Sequence, residues 1–149
     1  MPLATLLLLA LLSQTLFYFR GAIALLLPEA KPFINELCQD LGCEVPLPRR
    51  VELVSIETSD LQADPANPGV MVLSATLRNR AAFPQAFPAL ELTLTNDGDL
   101  PLARRVLQSG DYLADKEEVF DGSSEKQIRL QIEAGALKAS GYRLYLFYP

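Results

Sequence analysis

Few residues in this 149-residue chain are equipped to do chemistry, and their types narrow what that chemistry is. Histidine is absent, which removes the usual general base of a serine or cysteine triad together with the commonest zinc ligand. Two cysteines, Cys38 and Cys43, do not make a zinc site by themselves, and no phosphate-cradling glycine loop occurs. The chain therefore reads as no enzyme, with no catalytic, metal or cofactor site and no evident small-molecule substrate. Asn96-Asp97-Gly98-Asp99 has the composition of a calcium loop but lacks the further spaced carboxylates and the closing glutamate, so a hairpin turn is expected. Ser109 to Glu125 carries Asp111, Asp115, Glu117, Glu118, Asp121 and Glu125, and reads as a long solvated loop. Recognition chemistry remains. Its candidates are Tyr145 and Phe147 in the last segment, and Phe83 and Phe87 in the proline-bearing stretch Arg80 to Pro88.

The cysteines are positioned by a helix ending. Pro28 suits a first turn, and Phe33, Ile34, Leu37, Cys38 and Leu41 recur at helical spacing before Gly42 stops the run. With Gly42 as the left-handed residue of a Schellman cap, Cys38 and Cys43 occupy the two positions that meet in that motif. Either a disulfide forms there or two small apolar residues pack at a cap. The disulfide is preferred, because the only two cysteines of the chain sit at that pair; closing so short a loop stabilises by about 2 kcal/mol. A bonded pair implies an oxidising compartment.

Ahead of this helix, Leu3 to Phe19 is uncharged and nearly all Leu, Ala and Phe, and Gly21 to Leu27 resumes the apolar run beyond a lone Arg20. Leu3 to Leu27 is expected to span a bilayer as one tilted helix, with Arg20 snorkelling to phosphate level. Ala22-Ile23-Ala24 resembles a signal-peptidase site, but no basic residue precedes the run, so an uncleaved anchor is the reading. Arg20, Lys31, Arg49 and Arg50 all follow it, and charge alone favours a cytoplasmic domain. The cysteine pair argues the opposite. A net charge of −5, with only Arg49-Arg50 and Arg104-Arg105 as basic pairs, sets nucleic acid aside.

Three segments are expected: an anchor over 1–27, a linker with the cysteine pair and Pro46 and Pro48 over 28–50, and a β domain over 51–149. Past the linker the hydrophobic period becomes two. Strands are expected over Val51 to Leu61, Val70 to Asn79, Ala89 to Thr95, Pro101 to Gln108, Lys126 to Glu133 and a last one from Tyr142 to Tyr148. In the first, Val54, Ile56 and Thr58 share a face; in the third, Leu90, Leu92 and Leu94 face away from Glu91, Thr93 and Thr95. The last strand is apolar on both faces, with Tyr142, Leu144, Leu146 and Tyr148 opposite Arg143, Tyr145 and Phe147, which predicts a central or covered strand. Leu92 and Leu144 are expected on facing strands of an immunoglobulin-like antiparallel β-sandwich.

Specific stretches go further. Leu37-Cys38 with Leu41-Gly42-Cys43, Pro46-Leu47-Pro48-Arg49 and Glu57-Thr58-Ser59-Asp60-Leu61 come first. Leu77-Arg78-Asn79-Arg80-Ala81, Phe83-Pro84-Gln85, Pro88 to Thr95 and Gly141 to Tyr148 follow in order. Together they resemble the bacterial domain of unknown function 3426, usually the C-terminal part of membrane proteins that begin with a zinc ribbon. The resemblance implies a single span of the bacterial inner membrane with the β domain in the periplasm, in agreement with the disulfide. The ribbon's paired cysteines are missing here, so its metal binding is not carried over. The expected role is a membrane-anchored scaffolding or protein-binding module, held by the lipid bilayer through residues 3–27 and meeting an envelope protein; the alternatives are a structural protein acting through self-association of its anchor and, behind it, a His-free enzyme.

Overall fold

The computed structural model describes residues 2–113 and 119–149, which divide into two units, Met1–Pro48 and Arg49–Pro149. The first unit is helical. Helices α1 (Pro2–Tyr18) and α2 (Arg20–Leu26) cover the apolar run, and α3 (Lys31–Asp40) follows a single 3-10 turn at Pro28–Ala30. Within α1 the hydroxyls bond to their own backbone: Ser13 Oγ donates to the Ala10 carbonyl at 2.9 Å and Thr15 Oγ1 to the Leu11 carbonyl at 2.8 Å. Neither hydroxyl needs water. The continuous helix expected from Leu3 to Leu27 does not form; α1 and α2 meet at a bend of 66°, and among the described residues no single helix is long and apolar enough to cross a membrane. Arg20 accounts for the bend locally. Instead of pointing away, its Nη1 donates to the Phe17 carbonyl at 2.9 Å and its Nε to the Glu44 carbonyl at 3.1 Å, with the guanidinium 4.5 Å from the Phe17 ring centroid. A side chain inserted at a carbonyl of the helical ladder turns the helix there.

In the second unit, β1 (Val54–Ala63) follows a 3-10 turn at Val51–Leu53, so the strand starts later than its apolar pattern implied. β1 forms a hairpin with β2 (Val70–Asn79), and β7 (Glu125–Glu133) flanks β2 on its other side, giving an antiparallel sheet in the order β1-β2-β7. A second antiparallel sheet has the order β5-β4-β8, from β4 (Ala89–Thr95), β5 (Pro101–Leu107) and β8 (Gly141–Phe147). The two-residue strands β3 (Gln85–Ala86) and β6 (Val119–Phe120) pair with each other. Among the described residues the chain is thus mainly β with antiparallel sheets and N-terminal helices. The β4–β5 turn is a hairpin turn, closed by Asn96 Oδ1 accepting from the Gly98 and Leu100 amides at 3.0 Å each.

One core cluster draws on both three-stranded sheets: Leu73, Leu77, Ile128 and Ile132 from the first, Leu90, Leu92, Leu94 and Leu107 from the second. A register shift between Ile56 and Thr58 inserts a residue, so Val54 and Ile56 face the core but Thr58 is exposed and Leu61 turns inward instead. The acidic segment is not wholly solvated, since Tyr112 and Leu113 in and after the single turn α4 (Ser109–Tyr112), and Phe120 in β6, belong to the core. Its Asp115, Glu117 and Glu118 lie outside the described residues. Thr93 is as buried as Leu92, at 3% and 2% exposure, because on the outer face of the central strand it lies between Arg104 and Arg143 on its neighbours. β8 is an edge strand rather than a central one. Leu92 and Leu144 are adjacent cross-strand partners in one sheet, and Leu144 is only partly buried.

Candidate functional site

The cysteine pair lies where the helix ending was expected to bring it. Gly42 adopts φ +66°, the Cys43 amide donates to the Cys38 carbonyl at 2.7 Å, and the Gly42 amide donates to the Gln39 carbonyl at 3.3 Å. These are the two bonds of a Schellman ending. Cys38 and Cys43 stand at disulfide distance, with 4.6 Å between their Cα atoms.

Tyr145 and Phe147 share the outer face of β8, and the sheet determines their neighbours. Register puts Tyr145 beside Glu91, which has Val106 on its other side; Phe147 lies beside Ala89. Tyr145 is 59% exposed and Val106 42%, whereas Phe147 is half-buried. The charges bordering this patch belong to the same sheet and its β4–β5 turn. Arg104 pairs with Glu91 at 3.5 Å, and Arg143 pairs with Asp99, which raises the guanidinium pKa above its ordinary value through that hydrogen bond. An exposed aromatic and an aliphatic residue with flanking charges on a rigid sheet form a surface suited to protein contact.

The other two candidates separate. Phe87 is a core residue, stacked on Phe120 with ring centroids 4.7 Å apart and edge-on to Tyr112, so its ring is not on the surface. Phe83 is half-buried. Far from being a free loop, 80–88 is tied down along its length. Tyr112 donates to the Pro88 carbonyl at 2.5 Å and Tyr148 to the Ala86 carbonyl at 2.8 Å; burial raises both hydroxyls, that of Tyr148 to about 12.

At the centre of this region is a pair that composition and periodicity did not single out. Asn79, fully buried, donates from Nδ2 to the carbonyls of Phe83, Phe120 and Asp121 at 3.1, 3.0 and 3.0 Å. Its Oδ1 accepts from the Ala81 amide at 3.0 Å and from Gln85 Nε2 at 2.9 Å, and Gln85 Oε1 in turn accepts from the Arg50 amide at 2.7 Å. The signal was available, because Asn79 follows Leu73, Ala75 and Leu77 on the inward face of β2. Buried and bonded to each other and to surrounding backbone groups, the pair holds structure. Nearby Glu57 has its pKa lowered by the Ser55 hydroxyl and by Arg80, again through contacts within the domain. Among the described residues no group of three or more His, Cys, Asp or Glu is placed to hold a metal ion.

The family model described as Protein of unknown function (DUF3426) matches residues 51–146, and the chain belongs to that family. The match covers the β unit; the apolar run and the cysteine pair lie outside it. No curated protein and no solved structure matches the chain.

Proposed function

We propose that this member of the DUF3426 family is a membrane-attached, non-enzymatic binding module of the bacterial envelope. Its β unit is an immunoglobulin-like sandwich outside the cytoplasm that meets a protein partner through the outer face of β4, β5 and β8. The observation that carries the reading is the exposure of Tyr145 on the outer face of an edge strand, beside Val106 and within a border of paired charges. A large ring left in water on a rigid sheet is ready to be covered. Attachment is supported by α1, whose leucines are exposed and whose Ser13 and Thr15 hydroxyls are satisfied internally. The cysteine pair supports an oxidising compartment, hence the periplasmic side of the inner membrane. The groups with displaced pKa values, Glu57, Asp64, Tyr112, Arg143 and Tyr148, follow burial or internal partners rather than converging on a cleft, which favours binding over catalysis.

The test is in-cell crosslinking followed by purification of the full chain, comparing wild type with Tyr145→Ser/Phe147→Ser. The wild type should carry a distinct protein partner that the double variant loses while its melting temperature stays close to native. Crosslinks to further copies of the chain alone, or a partner retained by the folded double variant, would contradict the proposal.

A further inference from the structure

Helix α3 carries an apolar face that its own unit does not cover: Phe33, Leu37 and Leu41 are 70%, 50% and 65% exposed, while Glu36 and Gln39 take the other side. With Leu16, Phe17 and Ile23 these three residues line an apolar groove of about 730 Å³, contained entirely within Met1–Pro48. The residues α1 lends to it come only from its C-terminal end, Ser13 to Tyr18. That end, with Tyr18, Phe19 and Arg20, has the aromatic and basic chemistry of a lipid–water boundary. The bend of 66° carries the chain across the axis of α1 rather than along it, and the seventeen residues of α1 alone cover about 25 Å, short of the roughly 30 Å hydrocarbon core.

We infer that α1 dips into the hydrocarbon and that α3 lies in the boundary plane, its groove filled by acyl chains of the bilayer. The inference deepens the membrane attachment proposed above and rests on it. The bilayer is the occupant because the groove is continuous with the apolar exposed surface of α1, Leu16 and Phe17 belonging to both, and because a basic residue, Arg20, lines it and another, Lys31, opens α3, the side-chain chemistry an anionic headgroup layer meets. The Cys38–Cys43 pair closes the helix at the end of that face, next to Leu41.

The chain has no tryptophan, so single substitutions report without background. The full chain, disulfide intact, is reconstituted in phosphatidylethanolamine and phosphatidylglycerol vesicles doped with phosphatidylcholine brominated near the headgroup or near the bilayer centre. Phe33→Trp and Leu37→Trp should lose most fluorescence to the shallow bromines and Leu8→Trp to the central ones, while Gln39→Trp stays open to aqueous acrylamide. If Leu8→Trp is quenched by bromine but Phe33→Trp is as open to acrylamide as Gln39→Trp, the attachment stands and the inference is overturned. A Phe33→Trp shielded from acrylamide and from both bromines means a protein covers the groove, and quenching chiefly by central bromines means α3 is inserted; either overturns it. A Leu8→Trp that no bromine reaches overturns the attachment and the inference together.

Discussion

Asn79 sets the behaviour of this domain at the scale of single residues. It joins the end of β2 to segments 80–88 and 119–124, and truncating it removes the bond to the Phe120 carbonyl and the acceptor of two donors, the Ala81 amide and Gln85 Nε2, all at buried contacts, together with part-buried bonds to the Phe83 and Asp121 carbonyls. Asn79→Ala should cost about 3 kcal/mol or more in urea unfolding, and Asn79→Asp no less, because a carboxylate would face three carbonyl oxygens. A loss under about 1 kcal/mol, the worth of one ordinary hydrogen bond, would show that the network is not the anchor described. Tyr148 gives a second test, in pH. Its folded pKa is raised by burial from 10.0 to about 12, so the folded state holds the phenolic proton more tightly than the unfolded chain does. The associated stability is complete below pH 10 and lost as the pH rises toward about 12. Tyr148→Phe should be less stable near neutrality by about 1 kcal/mol, for the lost bond to the Ala86 carbonyl, yet lose less over that alkaline window. An alkaline loss equal to wild type would place the titration elsewhere.

Among the elements, β4 is the strand on which the second sheet is built. Leu92→Ala empties a site inside the shared core and should cost about 2 to 5 kcal/mol in chemical denaturation. Thr93→Ala, equally buried but on the outer face between Arg104 and Arg143, should cost about 1 kcal/mol or less, since those long side chains close over the gap. Equal costs would mean that the outer face is packed as a core. Alternation located these strands well: β2 and β4 run over the residues their patterns indicate, and Gly42 ends α3 as its spacing implied. Period two reports which faces are apolar, but not how many strands flank them. That is why β8, apolar on both faces, read as central or covered although it is an edge. The bulge at Glu57 leaves no mark in composition, and the net charge of 109–125 hid Tyr112, Leu113 and Phe120. Of the four aromatic candidates, Tyr145 is on the surface as a binding residue must be, Phe83 and Phe147 are half-buried, and Phe87 is in the core, a division that depends on contacts distant in sequence.

At the scale of the whole molecule, compartment and partner are linked. Protein isolated without reductant should present no free thiol to an alkylating probe, and Cys38→Ser should lower the melting temperature, because the short loop loses its closure. Two thiols labelled at once would remove the argument for an oxidising compartment. The proposal of a protein-binding face is tested most directly by a photo-crosslinking side chain placed at Tyr145 in the living cell, with a control at Gln131 on the outer face of the other sheet. The expected result is a discrete adduct with a different protein at 145 and none at 131. No protein adduct at 145, or the same adducts at both positions, would contradict it.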